Sequence, residues 1–269
     1  MTDPRGRGEA AILRPTASAQ RIDIARVPPA QRWSPFIEYH WIVRWNCPEP
    51  YEQQVIPQPC VHVTAELFDG TPRLLVNGIT REPFTRRLEG RGHVVGATFR
   101  PASFRAVLGA DLGVVAGRVV PLADVVGPDD SAAAAAILRS DTSDDEMVSV
   151  LERHLDECGA TYDPAADELN ALVREAEVDR TMTRSDQLAE RAGVSRRTLE
   201  RRFTAYLGIG PKWVVRRFRL LDAAAAVHAG ETADWAALAT DLGFADQSHL
   251  IRAFTQVVGT PPAAYAKDA

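Results

Sequence analysis

The chain is poor in cysteine, almost devoid of lysine and free of long apolar runs, and each shortage excludes something. Its 269 residues include 3 Cys, at positions 47, 60 and 158. They are odd in number and widely spaced, which excludes a disulfide framework and a C-x-x-C motif and fits a reducing compartment. No stretch approaches the roughly 18 apolar residues of a membrane helix; the longest are short pieces such as Ala132–Leu138. Met1–Pro15 carries Arg5 and Arg7 but no apolar segment, so no secretory leader is expected and the cytoplasm is the expected location. Only Lys212 and Lys267 are lysines, against 29 Arg. Together with the many alanines this points to a GC-rich coding bias, so arginine abundance alone says little about nucleic acid.

What is present is ordinary in composition: 45% hydrophobic and 25% charged residues, as in a soluble globular protein long enough for two domains. The net charge of −5 conceals an asymmetry. Residues 1–182 hold 19 basic and 27 acidic residues, whereas 183–269 hold 12 and 9. Within the latter, residues 183–221 hold 10 basic and 3 acidic. A basic block inside an acidic chain suggests a surface that meets an anion, with nucleic acid the usual candidate.

The hydrophobic pattern changes along the chain. Tyr39, Trp41, Val43 and Trp45 alternate with His40, Ile42 and Arg44, the period of a half-buried strand. Further strands are expected at 60–68, Leu74–Val76 and His93–Phe99, with Asp69-Gly70 and Asn77-Gly78 as turns. Strands at this spacing suggest a barrel or sandwich. After Pro121 the texture becomes helical, with Met147, Leu151 and Leu155, then Leu169, Leu172, Val173 and Ala176, at helical spacing. The reading is an α+β two-domain protein: a β-barrel-like unit at 1–120, a helical connector at 121–163 and an all-α unit at 164–269.

The last part contains a pattern repeated at an offset of about 50 residues. Leu188-Ala189, Gly193-Val194, Leu199, Phe203, Gly208 and Pro211 are followed by Leu238-Ala239, Gly243-Phe244, Leu250, Phe254, Gly259 and Pro262. A small residue lets helices cross closely, a glycine takes the positive φ of the turn, and Leu and Phe four apart share the buried face. Each copy predicts a helix-turn-helix. Ser195 and Asp246 are the expected N-caps of the second helices. Arg197, Glu200 and Arg201 then face outward in the first copy, and Gln247, Ser248 and Arg252 in the second. Arginine grips guanine bidentately and glutamine is also a base-edge reader, while helix starts, here Ser195 and Arg196, suit phosphate. The helix opened by Pro211 is expected to bury Trp213, Val214, Phe218, Leu221 and Ala225 and to expose Arg216, Arg217 and Arg219. At ~1.5 Å per residue it reaches roughly 24 Å, enough to hold two reading helices about one DNA turn apart.

These residues resemble the DNA-binding domain of AraC/XylS-type transcription regulators. Leu242-Gly243-Phe244-Ala245-Asp246-Gln247-Ser248-His249-Leu250, Arg252-Ala253-Phe254 and Gly259-Thr260-Pro261-Pro262 carry the resemblance, with Ser195–Phe203, Gly208–Pro211 and Arg219-Leu220 supporting it. It implies bacterial transcription control, commonly activation through RNA polymerase, by a homodimer on double-stranded DNA. It also implies base reading at Arg197, Glu200, Arg201, Gln247, Ser248 and Arg252. The N-terminal part resembles, more loosely, the cupin-like sensing domains joined to such regulators.

For that N-terminal part the leading expectation is a small-molecule effector site lined by Tyr39, Trp41 and Trp45, with His62 beside them. His62, Glu66 and His93 echo a cupin metal set, but Thr64 stands where its second histidine belongs, so no metal and no cofactor are assigned. An enzymatic alternative places a nucleophile at Cys60, because Val55–His62 distantly echoes DNA alkyltransferases; Val61 stands where a histidine should follow. No other catalytic arrangement stands out, and the chain is not expected to be an enzyme. A third alternative is a domain that only dimerises, through the stretch around Met147, Leu151 and Leu155.

Overall fold

The computed structural model describes residues 21–228 and 235–268. The reading of Met1–Pro15 therefore lies outside the described residues. Six antiparallel strands form one sheet: β1 (Ile22–Val27), β2 (Ile37–Val55), β3 (His62–Phe68), β4 (Thr71–Asn77), β5 (Phe84–Phe99) and β6 (Val119–Pro121). Their spatial order is β1-β2-β5-β3-β4-β6. The long β2 and β5 form the spine, with register shifts between Ile37 and Tyr39 and between Cys47 and Tyr51. Such bulges increase local twist. The sheet curves until residues of both edge strands border one cavity, yet β1 and β6 are not paired. The expected barrel is thus an open, curved sheet.

The alternation read in β2 sorts the two faces. Ile42 joins Val63, Ala65, Leu74, Val76, Val95, Ala97 and Phe99 on one face, all fully buried. Two helices cover that face: α2 (Ser131–Ile137) and α3 (Asp144–Cys158), following a short α1 (Arg105–Leu108). Helix α3 starts where Ser143 accepts a hydrogen bond from the Glu146 N–H, and Asp144, Asp145 and Glu146 complement the positive end of its dipole. Its stripe of Met147, Leu151 and Leu155 is buried in the sheet core. Those side chains are therefore unavailable for the dimer contact considered for them, because the same i, i+4 face that would seal a dimer seals this domain.

Seven helices run through the rest of the described residues: α4 (Pro164–Val178), α5 (Ser185–Arg191), α6 (Arg196–Leu207), α7 (Pro211–His228), α8 (Trp235–Asp241), α9 (Gln247–Val258) and α10 (Pro262–Asp268). They build two apolar cores. Leu169, Val173, Leu188, Leu199, Phe203 and Val214 belong to one, and Leu220, Ala223, Leu250, Ala253 and Phe254 to the other. Helix α7 contributes to both. The sheet domain supplies residues to these cores as well: Ile79 and Ala102 to the first, Ile56 to the second. Asn170 on α4 adds a polar tie, accepting from the Ala102 N–H at 2.9 Å and donating to Ser103 Oγ at 3.0 Å.

The central position of α7 overturns part of the sequence reading. Arg217 and Arg219 are 4% and 0% exposed. Arg219 donates to the carbonyls of Asp179 (2.7 Å), Met182 (3.3 Å) and Ala176 (2.9 Å) around the end of α4, and its Nε lies 3.1 Å from Asp222. Arg217 Nε donates to the Pro57 carbonyl of the loop between β2 and β3. A helix packed on several sides has no free polar face, so these arginines satisfy backbone carbonyls instead of facing solvent. Ala225, expected inside, is exposed.

Candidate nucleic-acid interface and sheet-face cavity

The two repeats fold alike, bond for bond. In the first turn Gly193 has φ 64° and the Val194 N–H donates to Ala189 O at 3.1 Å. In the second Gly243 has φ 73° and the Phe244 N–H donates to Ala239 O at 2.8 Å. Ser195 Oγ accepts from the Thr198 N–H at 3.2 Å to start α6, and Asp246 Oδ1 accepts from the His249 N–H at 2.7 Å to start α9. Ala245 makes the second turn one residue longer, so Leu199/Phe203 answer to Leu250/Phe254, all buried. Each anchor pair fixes which side of its helix turns outward.

That outward side carries the expected residues. Ser195, Arg196, Arg197, Glu200 and Arg201 on α6 are exposed, as are Gln247, Ser248 and Arg252 on α9. Arg196 is held 3.1 Å from Asp186, while Glu200 lies against the Gly210 backbone. Among the described residues no hydrogen bond or ion pair engages Arg197, Arg201 or Arg252. Arg216, expected to be exposed, is half-buried, and its guanidinium lies 5.5 Å from the centre of the Phe244 ring beside the second turn.

The second candidate site is on the sheet face opposite α2 and α3. A cavity of about 230 Å³ lies there, bordered by Ile24, Tyr39, Trp41, Ile56, His62 and Ile79 among others. Tyr39, Trp41 and His62 are therefore placed together as expected, but Trp45 is not a lining residue. It shares the face with Trp41, two same-face pairs further along, and its ring covers Gly92 while its Nε1 donates to Glu89 O at 3.3 Å. Trp41 likewise covers Gly96, its cross-strand partner, where an added Cβ would come within 2.4 Å of the indole.

Polar lining residues missed in the sequence include Thr64 and Asn77, and also Gln53, Gln58 and Thr80, although a period of two from His62 leads to Thr64 and Glu66. Asn77 Nδ2 donates to Thr64 Oγ1 at 2.9 Å, Thr64 donates to Glu66 at 2.7 Å, and Glu66 is paired with Arg86 at 2.5 Å. His62 Nδ1 faces Trp41 Nε1 (3.4 Å) and Thr98 Oγ1 (3.2 Å), and Nε2 lies 3.5 Å from Cys60 Sγ. Burial lowers the His62 pKa to about 4, so the ring is neutral near pH 7. His93 points to the other face of the sheet, 2.9 Å from Ile137 O, so the structure separates it from His62 and dissolves the cupin-like set. Cys60 is buried and its thiol is pushed up to about 12, chiefly by desolvation. An alkyl-accepting nucleophile needs the thiolate, which this environment disfavours.

Comparison with known proteins finds a family match in each half. Residues 188–268 match a helix-turn-helix domain family, and residues 25–121, which span nearly all of the sheet, match the domain of unknown function DUF6597. An AraC-like transcription regulator of Streptomyces lividans is 41% identical over 80 residues, covering 30% of this chain and 26% of that protein. One from Streptomyces antibioticus is 40% identical over 81 residues, with the same shares. The matched segment thus spans about a quarter of the length of these curated relatives. Among solved structures, the DNA-binding domain of the global transcriptional factor AdpA, crystallised with a target DNA, is 27% identical with a TM-score of 0.32, covering 39% of this chain and 92% of that one. ToxT from Vibrio cholerae is 12% identical with a TM-score of 0.38, covering 92% and 98%. Among the described residues no helix is long and apolar enough to cross a membrane.

Proposed function

From an AraC-type helix-turn-helix domain at residues 188–268, we infer that this protein regulates transcription by binding specific double-stranded DNA. The observation that carries the reading is the duplicated turn. Two N-capped helices, α6 and α9, expose arginine at equivalent positions, Arg201 and Arg252, above identical Leu/Phe anchors. Arg197, Glu200 and Arg201, with Gln247, Ser248 and Arg252, are assigned to base edges in two successive major-groove segments. Ser195 and Arg196, at the start of α6, are assigned to the backbone, where helix N-termini favour phosphate. In functional terms residues 164–269 read DNA, residues 1–120 sense, and 121–163 join them.

The resemblance extends the proposal to a homodimer that activates through RNA polymerase, with a small effector held in the sheet-face cavity. A regulator without an effector, whose N-terminal domain only dimerises, is the second reading. The cavity beside Tyr39, Trp41 and His62 favours the first. Selection of bound fragments from genomic DNA, followed by footprinting, tests the DNA reading. Two protected patches about 10 base pairs apart on one face of the duplex are expected; binding without sequence preference refutes it. Sedimentation of the full chain at micromolar concentration tests the dimer, and a monomer throughout refutes that part alone.

A further inference from the structure

The cavity has a chemistry narrow enough to define its occupant. Its walls are mostly apolar, with Trp41 and Tyr39 offering ring faces and Ile24, Ile56 and Ile79 aliphatic surface. Both charges at its border are engaged: Glu66 with Arg86, and Arg26, whose guanidinium lies 4.9 Å from the centre of the Tyr39 ring. A charged guest would have to give up water for walls whose two charged side chains are already engaged, so burial disfavours it. Size sets a second limit. An apolar cavity of roughly 150 Å³ holds benzene, so about 230 Å³ suits one substituted ring or two fused rings.

One polar group has only a weak partner. Trp41 Nε1–H can only donate, so His62 Nδ1 accepts from it and the proton of the neutral ring sits on Nε2. The acceptor facing that N–H is the Cys60 sulfur at 3.5 Å, a weak one. An oxygen acceptor on a guest makes a better partner.

The walls also belong to the helical domain. Ile56 is buried in the core of Leu220, Ala223 and Phe254, and Ile79 in that of Phe203 and Phe218. Next to Ile56 in the chain is Pro57, another lining residue, whose carbonyl Arg217 of α7 holds. A guest seated on Ile56 and Pro57 touches residues that α7 already grips, and α7 joins the two helix-turn-helix units.

We propose that the cavity binds a neutral molecule of one or two rings bearing an acceptor oxygen for His62, and that its occupancy is transmitted to α7 through Ile56, Pro57 and Arg217. Only the consequence for DNA rests on the regulator reading; the binding and its transmission do not. The test uses the full chain and three probes built on one fused-ring frame: 1-indanone (neutral, carbonyl), indene (no oxygen) and indane-1-carboxylate (anionic). Ligand-observed NMR gives affinities, and amide hydrogen exchange reports on residues 55–62 and 211–228. 1-Indanone is expected to bind best, about fivefold tighter than indene for one hydrogen bond of ~1 kcal/mol, and to slow exchange in both segments. Indane-1-carboxylate binding as tightly as 1-indanone overturns the ligand class. Undiminished binding by Val43→Trp, which fills the cavity, or by Ile24→Trp on the edge strand should the first not fold, overturns the site. In Arg217→Gln, or Ile56→Val if that variant is unfolded, 1-indanone should bind within about threefold of wild type while exchange in α7 no longer responds; an unchanged α7 response overturns the route. DNA binding is measured separately on the unliganded chain. Its presence with no ligand binding sinks this proposal, and with it the effector part of the proposed function, but leaves the DNA reading intact; its absence with ligand binding sinks the DNA reading alone.

Discussion

Replacing Arg219 by leucine separates two roles that a sequence cannot distinguish. On an exposed helix face Arg219 would meet phosphate, and its loss would weaken binding to every DNA while lowering the slope of log K against log salt by about 0.9. Its observed position predicts something else. Its guanidinium donates to three backbone carbonyls at the end of α4, at 2.7–3.3 Å, and lies against Asp222. Hydrogen bonds from a charged donor contribute about 1.5–3 kcal/mol each, and removing one member of a buried ion pair costs about 3–5 kcal/mol. These overlap, because one side chain makes all of them, and leucine recovers some apolar contact. A net loss of roughly 3–5 kcal/mol is the expected outcome, from the stranded carbonyls and from Asp222, whose pKa burial already raises. Urea unfolding followed by far-UV circular dichroism measures it, and DNA titration at several salt concentrations measures the slope on the fraction still folded. A loss under about 1 kcal/mol with a slope reduced by about one would refute the structural role and restore the phosphate contact.

Three further outcomes are expected. Arg201→Ala or Arg252→Ala should relax discrimination at one or two base pairs by about 1–3 kcal/mol each, seen by selection from randomised sites; equal losses on all sequences would contradict base reading. Gly96→Ala should destabilise the sheet domain by about 1–3 kcal/mol in thermal or urea unfolding, because the new Cβ lies 2.4 Å from the Trp41 indole; a neutral effect would mean the indole moves aside freely. Glu152 provides the pH test. Burial alone would raise its pKa, but His40 at 2.9 Å, the Ala30 N–H and Arg32 together bring it below the usual carboxylate value. A carboxyl depressed in the folded state stabilises the fold above its unfolded pKa, and that stability is lost as pH falls through the lower folded value. Glu152→Gln should therefore flatten the acid side of the stability profile, and an unchanged profile would refute the assignment.

Much of the DNA-facing unit was legible in the chain because its signals are local. A cap needs one side chain and one amide three residues on, as Ser195 with Thr198 and Asp246 with His249 show. A turn needs one positive φ, and an anchored face needs Leu and Phe four apart. The copies reinforce each other, since two segments obeying the same rules at nearly one offset leave little to chance. Alternation in β2 likewise located Tyr39 and Trp41 on the cavity side. It failed at Trp45, because parity names a face and says nothing of where along that face the cavity ends.

The sequence by itself thus located parts of β2 to β5, the two turns, and which side chains of α6 and α9 point away from their anchors, while β1, β6 and α2 emerged only in the folded chain. Tertiary structure alone decided what α7 is. Arg216, Arg217 and Arg219 look like a solvated stripe, but one lies on Phe244, one holds Pro57 and one closes the end of α4. Periodicity detects a helix with one buried side; it does not register a helix enclosed on several. The same limit hid the covering of Met147, Leu151 and Leu155 by their own sheet, and the sharing of Ile56 and Ile79 between a cavity wall and the helical cores. Local rules act over a few residues, whereas these contacts reach across the chain, 43 positions from Arg219 to Ala176 and 160 from Arg217 to Pro57, and only the folded chain brings them together.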